Sequence, residues 1–113
     1  MDFIIRKAQK ADMPSVLELI RELAIFEKEP EAVITTVEIL EAEGFGEQPL
    51  FHCFVAEREG SIEGMALVYY RFSTWKGRTL HLEDLIVKEK SRGTGLGGAL
   101  FRKVIEYARE QNV

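Results

Sequence analysis

Leu80-His81-Leu82-Glu83-Asp84-Leu85-Ile86-Val87 is followed, after three residues, by Ser91-Arg92-Gly93-Thr94-Gly95-Leu96-Gly97-Gly98 and then by Ala99-Leu100-Phe101-Arg102-Lys103-Val104-Ile105. The first run is apolar and strand-like, and the last has helical periodicity. Four glycines stand between them within positions 93–98. A strand, a glycine-rich turn and a helix start aim bare backbone N–H groups and the positive end of a helix at one spot, and such groups bind phosphate. The other reading of this stretch is a flexible turn that only begins a helix.

Working outward, the rest of the chain follows from local pattern. Residues 2–8 read as a first strand. Asp12 and Pro14 announce a helix, with Met13, Val16, Leu17, Ile20, Leu23 and Ala24 on one face, ending near Phe26–Lys28 ahead of Pro30. Thr35-Thr36-Val37-Glu38 fits a capping box for a short second helix, with Gly44 as its stop. Leu50 to Arg58 and Ile62 to Phe72 are aromatic and β-branched, and Glu59-Gly60-Ser61 joins them as a hairpin. After the turn Thr74-Trp75-Lys76-Gly77, residues 78–88 make a fourth strand. Leu96, Leu100, Val104 and Ala108, with Phe101 and Ile105 beside them, mark a third helix. The order is β-α-α-β-β-β-α in one domain, 1–113. A strand and helix in an α/β layer normally lead on to another strand, so the reading expects C-terminal strands to be lacking and the domain to be incomplete.

Composition narrows the class of protein. The chain has 113 residues, 46% of them hydrophobic and 30% charged, which suits a folded globular domain with a modest core. Its net charge of −4 argues against nucleic acid as a partner and suits a cationic small molecule. Met1-Asp2-Phe3-Ile4-Ile5-Arg6 lacks the basic start and long apolar run of a signal peptide, and no stretch has the length of a membrane span. The expectation is a cytoplasmic protein with no membrane partner. The lone Cys53 excludes an internal disulfide, and with His52 and His81 it makes no metal-ligand set. Each histidine reads as a packed or edge residue of a strand, and Cys53 as a small buried hydrophobe.

The glycine-rich turn has two parses. Gly93-x-Gly95-x-x-Gly98 matches the dinucleotide fingerprint, but that motif belongs early in a βαβ unit with an acidic residue about 20 positions further on. A P-loop is excluded, because no Lys-Ser or Lys-Thr follows the last glycine. The second parse is Arg92-x-x-Gly95-x-Gly97, in which two glycines let the backbone close around a pyrophosphate and Arg92 supplies a cation.

Arg92-Gly93-Thr94-Gly95-Leu96-Gly97 resembles the acetyl-coenzyme A pyrophosphate loop of the GNAT family of N-acetyltransferases. The element order resembles that fold's first two-thirds. Glu22-Leu23-Ala24, Gly44-Phe45-Gly46-Glu47, Phe51-His52-Cys53-Phe54-Val55-Ala56-Glu57 and Leu82-Glu83-Asp84 are similar to the diamine acetyltransferase branch. Ser73-Thr74-Trp75-Lys76-Gly77-Arg78 is similar to the branch member associated with thialysine. The resemblance covers essentially the whole chain. It implies a mixed, mainly antiparallel α/β (α+β) sheet flanked by helices, acetyl-CoA as cosubstrate without a metal, direct acetyl transfer to a primary amine of a small molecule, and a homodimer.

The same resemblance implies roles for single residues. Glu83 falls on the family glutamate that removes the amine's proton, through water. Asp84 adjoins it; on a regular strand the two would face opposite ways, and a bulge, as in family strands, would bring both to the substrate. Read alone, the pair is an exposed acidic strand end. The backbone of Leu85, Ile86 and Val87 is expected to pair with the pantetheine arm and to hold the thioester oxygen, while Arg92, Gly93, Thr94, Gly95, Leu96, Gly97 and Gly98 hold the pyrophosphate. Phe26 and Glu27 fall where the branch has a Tyr-Glu pair on the amine, Glu27 being otherwise a solvated helix end. Trp75 matches a tryptophan near the substrate, or else caps the sheet. Ser73 replaces an aspartate of the polyamine-selective members, which favours a smaller amine. Tyr107 does not match the family's tyrosine acid, so no general acid is assigned. The competing function is a non-catalytic coenzyme A-binding or regulatory module, or a truncated fragment.

Overall fold

A computed structural model describes residues 2–113. Four strands, β1 (Phe3–Lys7), β2 (His52–Arg58), β3 (Ser61–Ser73) and β4 (Gly77–Val87), form one sheet in the order β1-β2-β3-β4, every pair antiparallel. Helices α1 (Met13–Phe26) and α2 (Val37–Phe45) cover one face of the sheet, and α3 (Leu96–Glu110) covers the other. No helix is long and apolar enough among the described residues to cross a membrane.

Strand alternation sorts the core into two layers. Cys53, Val55, Met65 and Leu67 meet Met13, Val16, Leu17 and Leu19 of α1. Phe54, Ala56, Ala66 and Val68 meet Leu96, Leu100 and Val104 of α3. Burial, with the charges of Asp12 and Asp84 adding to it, pushes the Cys53 thiol up to about 12, so it serves as an inert apolar side chain. Gly64 has a packing role. A Cβ there would stand 3.0 Å from the Ile86 carbonyl oxygen and 3.0 Å from Leu96 Cδ2, so glycine lets α3 lie close on the sheet.

Two bulges break the alternation. Leu67 pairs with Asp84 and Val68 with Leu82, which leaves Glu83 as the extra residue of β4. The phase of β4 changes there: Leu80 and Leu82 pack on the α3 side, whereas Ile86, also even-numbered, packs on the α1 side. Likewise Ala56 pairs with Gly64 and Glu57 with Ile62, leaving Glu63 unpaired in β3.

Several local expectations are corrected. Asp12 does not cap α1 with its side chain; it accepts the Gln9 N–H at 2.7 Å and two bonds from Arg6 at 2.8 and 3.1 Å. Arg6 also donates to Glu57 at 2.8 Å, so the guanidinium ties β1, β2 and the approach to α1. The cap of α2 is Thr36, whose hydroxyl accepts the Ile39 N–H at 3.1 Å, and the reciprocal glutamate of a capping box is absent. Gly44 lies inside α2 instead of ending it, and it is the Phe51 ring, filling the space where a Cβ would be, that calls for glycine there. Phe101 was expected beside the core and is 46% exposed.

Candidate active site

The bulge decides which way the acidic side chains of β4 face. It turns Asp84 to the α1 side of the sheet, where its partner Leu67 also faces, and Glu83 turns toward His81 on that side. Burial pushes the Asp84 carboxyl above its ordinary range, and the charges of Glu83 and Glu27 push it further. Glu27 is the residue that ends α1. Three carboxylates from two elements therefore crowd one side of the sheet. A folded-state pKa raised for an acid means that the native state binds its proton more readily than the unfolded state. Its charge therefore opposes folding at neutral pH, and that opposition fades as pH falls into the carboxylate range. Asp84→Asn is accordingly expected to raise the melting temperature at pH 7 and to give no gain at pH 3. A destabilisation at pH 7, read by thermal denaturation, would show that the crowding is fully compensated.

His81 stands beside this group. Its Nε2 lies 3.7 Å from Glu83 Oε1, its Nδ1 lies 3.3 Å from Arg71 Nη1, and its ring centroid lies 5.0 Å from that of Tyr69. A guanidinium only donates, so in the neutral ring Nδ1 accepts and the proton sits on Nε2, facing the carboxylate. This placement was missed in the sequence, where His81 read only as a strand residue.

Beyond β4 the chain makes a 3-10 turn at Glu89–Ser91 and enters the glycine loop. Gly93 and Gly95 adopt φ of +79° and +86°, conformations that glycine reaches without strain. Thr94 donates its hydroxyl to the Ser91 carbonyl at 2.6 Å. Ala99 makes the first intrahelical bond, its N–H reaching the Gly95 carbonyl at 3.1 Å. The N–H groups of Leu96, Gly97 and Gly98 precede it and point out of the helix start, free for an anion. Gly97 and Gly98 are helical, and a Cβ on them would meet Val87 Cγ2 at 3.5 Å and Arg102 Nη1 at 3.4 Å, both ordinary contacts. Packing within the protein thus does not demand glycine at either position.

Two guanidinium groups flank the loop. Arg92 donates Nε to the Val87 carbonyl at 3.2 Å, and its Cζ lies 5.8 Å from the centre of the Phe26 ring. Arg102, which sequence reading did not single out, stands next to Gly98. Phe26 is 71% exposed at the end of α1, and so it joins the acidic side of the sheet to the loop. Leu85, Ile86 and Val87 lie between the two, on a strand whose outer edge has no partner among the described residues.

The structure does not bring Trp75 to this group. It sits in the β3–β4 turn, 93% exposed, and from Gly77 to Glu83 the strand extends ~20 Å. Ser73 serves that turn, accepting the Trp75 and Lys76 N–H groups at 3.2 and 3.1 Å. His52 and Tyr107 belong to an aromatic cluster on the α3 side, in which the Tyr70 and Tyr107 hydroxyls are 3.1 Å apart. Glu63 was missed altogether. It is 3% exposed and accepts the Ser91 and Ser61 hydroxyls at 2.6 and 2.7 Å, which holds its carboxyl below the usual range.

Known proteins are similar to this chain in sequence and in fold. The pattern of the acetyltransferase (GNAT) family matches residues 13–113. Thialysine N-epsilon-acetyltransferase of Bos taurus is 42% identical over 116 residues, covering 96% of this chain and 68% of that enzyme. Spermidine/spermine N(1)-acetyltransferase-like protein 1 of Homo sapiens is 35% identical over 94% of this chain and 16% of its own length. Among solved structures, an aminoglycoside acetyltransferase from an uncultured soil metagenomic sample superposes with a TM-score of 0.79 over 98% of this chain and 72% of its own, at 22% identity. The sheet, its flanking helices and these matches agree, and the chain belongs to the acetyltransferase (GNAT) family, as an N-acetyltransferase.

Proposed function

We propose that this chain binds acetyl-CoA on the glycine loop and transfers its acetyl group to a primary amine of a small, cationic molecule, a diamine or a thialysine-like amino acid. The observation that carries the reading is the bulge at Glu83, which gathers Glu83 and Asp84 on one side of the strand that leads into the loop. The N–H groups of Leu96, Gly97 and Gly98, with Arg92, Gly93, Thr94 and Gly95, receive the pyrophosphate. The free edge of Leu85–Val87 offers backbone groups to the pantetheine amides, as a sheet edge does to an added strand. When bound, acetyl-CoA supplies an activated thioester carbon, at which a C–N bond forms as the C–S bond breaks.

The chain's own residues prepare the amine. A protonated amine has no free electron pair, so its proton must leave first, and Glu83 accepts it through water. Asp84 and Glu27 draw the ammonium in, and its arrival relieves the repulsion among the three carboxylates. Phe26 forms an apolar wall between the amine and Arg92. His81 Nε2, 3.7 Å from Glu83 Oε1, turns its N–H side to the carboxylate without a direct hydrogen bond.

The reading is tested by thiol release from acetyl-CoA with a panel of thialysine, lysine, a short diamine, spermidine and an uncharged alcohol. Release should require an amine and be fastest with the small amines. Coenzyme A binding with no amine-dependent release would instead make the chain a binding module.

A further inference from the structure

We propose that Glu63 is the positioning residue of the acetyl-CoA loop, acting as a latch from beneath it. This rests on the reading of residues 92–98 as the acetyl-CoA site. Burying a carboxylate is costly, and a hydrocarbon side chain would fill the space without that penalty. The contacts that offset the cost lead to one place. The Glu63 carboxylate accepts the Ser91 hydroxyl at 2.6 Å, its backbone carbonyl accepts the Lys88 N–H at 2.9 Å, and Lys88 Nζ and Lys90 Nζ each lie 3.8 Å from its oxygens. Apart from Ser61, which steadies the carboxylate from its own strand at 2.7 Å, every partner lies in residues 88–91, the lead-in to the glycines.

Ser91 passes the restraint on. It is 1% exposed, and its carbonyl receives the Thr94 hydroxyl at 2.6 Å, inside the loop itself. A chain of short hydrogen bonds thus runs from a sheet bulge through Ser91 to the turn whose N–H groups must converge on a phosphate. The bulge leaves Glu63 without a partner in β2, while its carbonyl still bonds Lys88 on the other side. Lys88 and Lys90 also balance a negative charge that would otherwise oppose an anion near the loop. Groups held converged before binding spare the ligand the entropy of ordering them, so the latch acts on affinity.

The test compares the wild-type chain with Glu63→Gln, Ser91→Ala and the double change Glu63→Val with Ser91→Ala. The double change removes both polar partners, so that neither is left orphaned. Hydrogen exchange of residues 88–98 is measured on the free protein, coenzyme A affinity by calorimetric titration, and melting temperature alongside. Ser91→Ala and the double variant should exchange faster in 88–98 while α1 and the sheet are unchanged. They should bind coenzyme A about tenfold more weakly, even where the melting temperature is retained. Glu63→Gln, which still accepts from Ser91, should fall between. Unchanged loop exchange in folded variants overturns the latch, as does a melting temperature that falls while affinity holds. If the wild-type chain does not bind coenzyme A, the cofactor reading fails, and the exchange data alone decide whether Glu63 restrains the loop.

Discussion

Glu83→Gln is expected to lower kcat for amine acetylation by ~10²- to 10⁴-fold at neutral pH, the usual contribution of a positioned general base, while coenzyme A affinity is retained. Glutamine preserves shape but loses the negative charge and, with it, the ability to take a proton. Glu83 is the bulge residue of β4 and its side chain is 54% exposed, so the change has no core to disturb. The variant depends on amine already deprotonated by solvent, a fraction that rises about tenfold per pH unit below the amine's own pKa. Its deficit should therefore shrink as pH rises. Steady-state thiol release across a pH series reads this directly, and a wild-type to variant ratio that stays flat with pH would remove Glu83 from the role of base. His81 should not rescue the variant, because its accepting nitrogen faces Arg71.

Gly97→Ala separates binding from folding. Its Cβ meets only Val87 Cγ2 at 3.5 Å, and alanine is favoured over glycine in a helix by up to about 1 kcal/mol, so the variant should melt at a higher temperature than the wild type. In the proposed complex the same methyl group would crowd a pyrophosphate oxygen approaching the N–H groups of the first helical turn. Losing two charge-assisted hydrogen bonds there is expected to weaken coenzyme A binding by about 100-fold. Calorimetric titration and thermal denaturation of one sample give both numbers. Affinity unchanged in a more stable protein would mean that the phosphate lies elsewhere. Gly95 is the contrast: at φ of +86°, alanine would strain the backbone, so a loss of affinity there would not separate the two effects.

The order of the elements and the two contiguous motifs were legible in the sequence, and the reason is local. Helix α1 announces itself through Met13, Val16, Leu17 and Ala24, all buried, and α3 through Leu96, Leu100 and Val104. Glycine loop and acidic pair are each continuous stretches whose chemistry is readable without tertiary information. The bulges were less legible, since a bulge is defined by the facing strand: the one at Glu83-Asp84 was implied by the family resemblance, whereas for the one at Glu63 only the phase break at Ile62-Glu63-Gly64-Met65 gives a hint. Glu63 reaches Ser91 across 28 residues, a distance at which periodicity carries no signal. Trp75 shows the converse. A motif match links it to the substrate, whereas the fold places it exposed in the β3–β4 turn, beyond the far end of β4 from Glu83.

The missing side chain at Gly64 has a consequence for reach. Acid–base chemistry and acyl transfer tolerate errors of only about an ångström. Glu83 rides on β4, while the N–H groups of Leu96 to Gly98 ride on α3, and the gap between those two bodies is gauged where Leu96 Cδ2 and the Ile86 carbonyl each come within 3.0 Å of the Gly64 Cβ position. A single methyl group there would act as a shim, pressing on the Leu96 side chain and lifting the start of α3 away from β4 and the proposed base. The clearance of the proposed site is set from below, by the thickness of one residue of β3.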